Sequence, residues 1–186
     1  MEFDLSQARI RPLRAEDAAS LAEHANDPVV ARDLPDRFPH PYGLGDAHKW
    51  LSTVLAEETP HVLAIEVDGA CVGTIGWKLR DDVERLTREI GYWIGTAFAG
   101  RGITTEAVQA VTPWLVREFG LTRVEARLFQ RNRGSARVLE KAGYVREALL
   151  RRSAIKDGEV LDQELWAWVT DEPGSLPEEG GAGSPW

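Results

Sequence analysis

Two Asp-Gly dipeptides, Asp68-Gly69 and Asp157-Gly158, each stand between a pair of apolar, strand-like runs. Val62 to Val67 and Ala70 to Leu79 flank the first, and Val145 to Ile155 and Val160 to Val169 flank the second. Asp-Gly readily takes the positive φ angles of a tight hairpin turn, so each pair is predicted to be two neighbouring antiparallel strands. Between the hairpins the pattern alternates. Thr87 to Gly95 reads as a strand, Thr104 to Phe119 as a helix, Arg123 to Gln130 as a strand, and Asn132 to Ala142 as a helix ended by Gly143. The chain is thereby committed to a mixed α/β sheet, since a strand, helix, strand succession is interleaved with hairpins.

Upstream of the first hairpin, Ala8 to Arg14 reads as a short strand. Ala15 opens a helix with Ala18, Leu21, Ala22 and Ala25 at helical spacing, and Asn26-Asp-Pro28 stops it. Asp46 is predicted to cap a second helix that places Ala47, Trp50, Leu51, Val54 and Leu55 on one face. The segment between them, Leu34 to Gly43, is too rich in proline for regular structure and carries Phe38 and Tyr42. Such a loop is suited to lining a substrate pocket.

A length of 186 residues fits one domain. Residues 1–170 are expected to form it, and residues 171–186, rich in Gly, Pro and Glu, to form a flexible tail. No apolar run approaches the roughly 18 residues that cross a bilayer, and the N-terminus lacks a cationic then apolar leader, so a soluble cytoplasmic protein without a membrane partner is expected. A formal net charge of −8 disfavours nucleic acid and suits a cationic or amine-bearing partner. The single Cys71 reads as a buried small hydrophobe, and His24, His40, His48 and His61 lack metal-ligand spacing, so no metal is expected.

The segment Phe98-Ala-Gly-Arg-Gly-Ile-Thr-Thr-Glu-Ala107 sets two glycines around Arg101, after a strand and before a helix. The first N–H groups of a helix lack intrahelical partners, glycine lets an anion approach the main chain, and the helix dipole adds positive character there. A lone Gly-x-Gly is equally compatible with a tight connector bearing a solvated arginine. No Gly-Lys-Ser/Thr follows, and the third glycine of the dinucleotide fingerprint is missing, which leaves a different pyrophosphate.

With Glu89-Ile-Gly-Tyr-Trp-Ile94 before this turn, and Asn132-Arg-Gly-Ser135 leading to Glu140-Lys-Ala-Gly-Tyr144 after it, the sequence resembles the GNAT acetyltransferases, and within them the RimJ and RimL type. The resemblance covers roughly residues 8 to 170 in element order, with its specific motifs between Glu89 and Tyr144. It implies the GNAT fold, a mixed, mostly antiparallel sheet of about seven strands flanked by about four helices. It also implies acetyl-CoA, with its pyrophosphate on the backbone of Gly100, Arg101, Gly102, Ile103, Thr104 and Thr105, and its acetyl and pantetheine portions along Trp93, Ile94 and Gly95. Asn132, the predicted N-cap of the next helix, would by the same resemblance meet the pantetheine arm. Arg133, Arg137 and Lys141 share a helical face, either as a solvated stripe or with Arg137 or Lys141 on the 3′-phosphate of CoA. Two features depart from the pattern: Thr104 stands where glycine or alanine is usual, and Pro113 lies inside the following helix, where a kink is expected.

Acetyl transfer to an amine needs a polarised thioester carbonyl, a neutral nitrogen and a proton for the departing thiolate. Backbone N–H groups near Trp93 and Ile94 are implied for the first. Glu89 lies on the same side of the strand as Trp93 and is the candidate base, or else a surface glutamate paired with Arg88 or Arg85. Ser135 is the candidate acid, a position where RimL-like enzymes carry a serine, or else only a first-turn polar residue. The tyrosine used by many other GNAT enzymes would fall near Leu139. The expected function is N-acetyl transfer from acetyl-CoA to a protein N-terminus or a small amine, and the alternative is a silent acyl-CoA-binding sensor of the same fold. Trp166 and Trp168 share a face of the last strand, as core, as acceptor wall or as the contact of a homodimer, with core favoured.

Overall fold

A computed structural model describes residues 1–172. Residues 173–186, most of the expected tail, lie outside the described residues. In chain order the elements are β1 (Phe3–Asp4), β2 (Arg9–Pro12), α1 (Ala18–Ala25), α2 (Pro28–Ala31), α3 (Leu44–Leu55), β3 (Val62–Val67), β4 (Ala70–Leu79), β5 (Thr87–Ile94), α4 (Ile103–Phe119), β6 (Arg123–Phe129), α5 (Arg133–Lys141), β7 (Val145–Lys156) and β8 (Glu159–Val169). They build one eight-stranded sheet in the order β1-β2-β3-β4-β5-β6-β8-β7. Every neighbouring pair is antiparallel except β5 and β6, which run parallel. The architecture is the mixed, mostly antiparallel sheet that the sequence predicts, and both Asp-Gly turns join antiparallel neighbours with Asp68 and Asp157 at positive φ.

Strand alternation divides the apolar residues between two layers. In β3, Leu63, Ile65 and Val67 face a core completed by Ile103, Val108 and Leu139 of α4 and α5, whereas Ala64 faces a second core with Leu21 of α1 and Leu51 of α3. The same alternation puts Ile90, Tyr92 and Ile94 of β5 toward the α4–α5 layer and Trp93 toward the α1–α3 layer. Trp166 is buried in the first core and Trp168 packs against it, consistent with the core reading of that pair.

Local differences from the sequence reading have simple causes. One strand and one helix fall below the length that periodicity reveals: β1 is two residues long, and Asn26-Asp-Pro28 does more than end α1. Asp27 accepts a hydrogen bond from the Val29 N–H and caps α2, with Pro28 at its first position, where a missing N–H costs nothing. The N-cap of α3 is Gly43, and Asp46 sits one turn in, accepting from the Gly43 N–H at 2.9 Å. Asp46 therefore serves the helix start from the other half of a capping box. α4 continues through Pro113 as one helix.

Candidate active site

β5 and β6 pair only at Thr87↔Arg123, Arg88↔Val124 and Glu89↔Glu125, and beyond these residues the two parallel strands part. A cavity of about 730 Å³ opens in the gap. Gly91, Tyr92 and Trp93 line it from β5, and Ala126, Arg127 and Leu128 line it from β6. Ser135 and Leu139 of α5 reach it from one layer, while Phe38 and Tyr42 of the proline-rich loop and Trp50 of α3 reach it from the other. The cavity thus passes through the sheet and joins its two faces.

The gap also exposes main-chain groups. The Gly95 N–H donates to the Val72 carbonyl at 2.8 Å, continuing the β4–β5 register in which Trp93 faces Thr74 and Gly91 faces Gly76. Because bonding direction alternates along an antiparallel strand, Trp93 and Gly91 also turn their amides toward β4, and Tyr92 and Ile94 turn theirs toward the open side. Of the residues proposed along the acetyl and pantetheine arm, Ile94 therefore offers its N–H to the gap, Trp93 contributes its ring, and the Gly95 N–H is already bonded. Sequence reasoning did not single out the Tyr92 amide, although the parity of the strand contains that information.

The aromatic loop forms the wall of the cavity on the α1–α3 side. Phe38 stacks on Tyr42 at 4.9 Å between centroids and meets the Trp93 ring edge-on at 5.8 Å. Burial pushes the Tyr42 hydroxyl up to about 12, with the Asp46 charge adding to it. Two ion pairs fasten the start of the loop. Arg131 binds Asp33 at 3.1 Å, and the buried Lys156 ammonium, near the β7–β8 turn, binds Asp36 at 2.9 Å.

Glu89 lines the cavity at the last paired position of β5. Its Oε1 accepts from Lys78 Nζ at 2.9 Å and its Oε2 from Arg80 at 3.3 Å, neither of which is the Arg88 or Arg85 partner considered from sequence. Arg88 instead donates to the carbonyls of Arg85 and Thr87. Ser135 also lines the cavity, and its N–H donates to Asn132 Oδ1 at 3.0 Å, so Asn132 caps α5 as its residue type predicts. Above Ser135, the Tyr92 hydroxyl donates to the Ser135 carbonyl at 3.3 Å. Burial raises the Tyr92 hydroxyl above its ordinary value and keeps it protonated.

The glycine turn lies outside this cavity, past the end of β5 and a short helical turn over Thr96–Phe98. Gly100 and Gly102 both have positive φ, and a Cβ built on either would project into open space. Gly102 is the N-cap of α4, and the first intrahelical bond runs from the Glu106 N–H to the Gly102 carbonyl. Among the described residues no acceptor is recorded for the N–H groups of residues 100–105, which leaves Ile103, Thr104 and Thr105 pointing an unmatched set of donors outward. These residues fit a pyrophosphate: free amides, a helix N-terminus and no side chain where an anion would approach. Arg101 bonds Gln7 Oε1 at 3.1 Å and lies 5.6 Å from the centroid of the Phe98 ring. Arg137 and Lys141 are exposed on α5, and no ion pair engages either among the described residues, whereas Arg133 stands 3.6 Å from the buried Glu164. The structure thus separates the predicted residues into two groups. Glu89, Trp93, Ile94 and Ser135 gather at the gap; Gly100 to Thr105 lie at the start of α4.

Comparison with known proteins places this arrangement. A family model described as an acetyltransferase (GNAT) domain matches residues 7–145. The "Uncharacterized N-acetyltransferase p20" of Bacillus licheniformis is 26% identical over 177 residues, covering 88% of this chain and 93% of that protein. The "Probable N-acetyltransferase YjcK" of Bacillus subtilis (strain 168) is 42% identical over 81 residues, but this match spans only 44% of the chain and 45% of that relative. Among solved structures, Mycobacterium smegmatis RimJ in complex with CoA-disulfide superposes with a TM-score of 0.79 at 26% identity, over 89% of this chain and 83% of that one. The chain belongs to the GNAT acetyltransferase family, as an acetyl-CoA-dependent N-acetyltransferase.

Proposed function

We propose that this chain transfers the acetyl group of acetyl-CoA to a primary amine, either a protein N-terminus or a small-molecule amine, by direct attack with both substrates bound. The observation that carries this reading is the cavity through the sheet: a thioester entering from the α4–α5 face and an amine entering from the α1–α3 face meet between β5 and β6. The N–H groups of residues 100–105 hold the pyrophosphate, Asn132 meets the pantetheine arm, and Arg137 or Lys141 meets the 3′-phosphate. Bound acetyl-CoA supplies an activated acyl thioester.

The Ile94 and Tyr92 amides, unpaired at the gap, donate to the thioester carbonyl oxygen as negative charge builds there. Glu89 accepts the proton that the amine loses as its nitrogen bonds to the acetyl carbon, and the Ser135 hydroxyl gives a proton to the sulfur as the C–S bond breaks. A second reading, favoured by the occupation of both Glu89 oxygens, has this carboxylate only anchoring Lys78 and Arg80. CoA release measured against N-terminal peptides, polyamines, amino acids and aminoglycosides tests the function. Turnover with one class supports transfer, and acetyl-CoA binding with no turnover on any class points to the sensor.

A further inference from the structure

Charge around the cavity is not balanced. Three carboxylates line it, Asp33, Asp46 and Glu89, and each has a partner. Asp33 is bound by Arg131 at 3.1 Å, Asp46 accepts from the Gly43 N–H at 2.9 Å, and Glu89 is held by Lys78 and Arg80. Four cations also line it: Arg37, Lys49, Lys78 and Arg127. Lys78 is engaged by Glu89, and Arg127 stands 3.7 Å from Glu125. Arg37 and Lys49 remain, both exposed and neither recorded in an ion pair among the described residues.

Their placement is fixed by different elements. Lys49 shares the cavity face of α3 with Asp46, Trp50 and Thr53, spaced as one helical stripe. Arg37 precedes Phe38 in the loop that Lys156 and Arg131 fasten. Both cations therefore border the aromatic wall of Phe38, Tyr42 and Trp93, on the side away from Ser135. Asp46, whose partner is a neutral amide, keeps its charge on the same face as Lys49, so the lining's four cations exceed its three carboxylates by one positive charge, against the −8 of the whole chain.

We propose that the acceptor is an amine that also carries a carboxylate or phosphate, whose negative charge meets Arg37 and Lys49 while its amine reaches the gap beside Glu89. The assignment rests on the acetyl-transfer reading and names the substrate class for it. An acceptor that is cationic throughout would bring its second charge against this rim, where like charges discriminate against it.

The test uses matched amines that differ in charge: γ-aminobutyrate against its amide, O-phosphoethanolamine against ethanolamine, and the peptide amide Ser-Asp-Ala against Ser-Asn-Ala. The anionic member of each productive pair is expected to have about tenfold higher kcat/KM, an advantage that shrinks with added salt. The productive pair distinguishes carboxylate from phosphate. In the double variant Arg37→Gln, Lys49→Gln the ratio should fall toward one through KM, with acetyl-CoA affinity unchanged. Equal kcat/KM within the pairs, or a double variant that weakens acetyl-CoA instead, would overturn the proposal. If acetyl-CoA binds and no pair turns over, it is the transfer reading that fails. The same pairs are then titrated against the fluorescence of Trp50, Trp77 and Trp93 in the cavity. Tighter binding of the anionic members supports the charged rim, and equal binding overturns it.

Discussion

Tyr92 donates its hydroxyl to the Ser135 carbonyl at 3.3 Å, so a side chain of β5 ties down the first turn of α5 beside the gap between the parallel strands. Tyr92→Phe keeps the ring and removes the bond. The expected stability loss is about 1 kcal/mol, the usual net value of one such hydrogen bond. The kcat for acetyl transfer should fall, but less than in Ser135→Ala, because the phenylalanine variant leaves the proton donor present and only loosens its support. Denaturant melts and steady-state kinetics on the two variants check this order.

Glu89→Gln preserves shape and removes basicity. If Glu89 accepts the amine proton, acetyl-CoA affinity survives while turnover falls by roughly 10² to 10⁴, with a weaker acidic limb in the pH–rate profile. Wild-type turnover across the neutral to alkaline range in this variant would assign Glu89 to the Lys78–Arg80 anchor alone.

Asp27 links α2 to the helical turn that precedes the glycine turn. Its Oδ2 accepts from Thr96 Oγ1 at 2.6 Å and its Oδ1 from the Val29 N–H at 2.7 Å, and these bonds, the Thr96 one foremost, hold its carboxyl below the ordinary value. A carboxylate with a lowered value in the fold stabilises it above the unfolded value, and that contribution is lost as pH falls through the lowered one. Asp27→Asn should therefore have a lower Tm than wild type at neutral pH, and the gap should close as pH is taken below the ordinary carboxylate range. A Tm difference that stays constant with pH would mean that charge plays no part.

Lys156 is buried, and its ammonium meets Asp36 near the start of the proline-rich loop. Lys156→Met keeps most of the apolar stem and releases the loop. The acceptor KM should rise while the acetyl-CoA affinity holds, since the loop borders only the amine side. Equal changes in both constants would show that the variant disturbs the whole gap.

The sheet was legible in sequence wherever a local signal carried it. Asp68-Gly69 and Asp157-Gly158 specify their hairpins through backbone preference alone, and the strand and helix runs from Thr87 to Ala142 lie within a residue or so of the observed elements. The two-residue β1 and the four-residue α2 were not legible, because neither is long enough for a hydrophobic period to repeat. Glu89, Trp93, Ile94 and Ser135 could be named from sequence and lie together at the gap, but their engagements were not visible. Lys78 and Arg80 reach Glu89 from the neighbouring strand and the turn after it, and strand register is a tertiary fact. Nor does sequence spacing reveal that β5 and β6 part after Glu89, which is what turns a sheet into a site.

Calorimetric titration of acetyl-CoA into wild type and Gly102→Val tests most directly whether the α4 N-terminus is the cofactor cradle. Gly102 has φ +86°, so a branched side chain both fills the open space before the free amides and strains the turn by about 1–2 kcal/mol. A melt confirms that the variant is folded before it is titrated. Wild type is expected to bind acetyl-CoA, and the folded variant to bind it at least about tenfold more weakly. Equal affinity in the two proteins would contradict the cradle and, with it, the path by which the thioester reaches the gap.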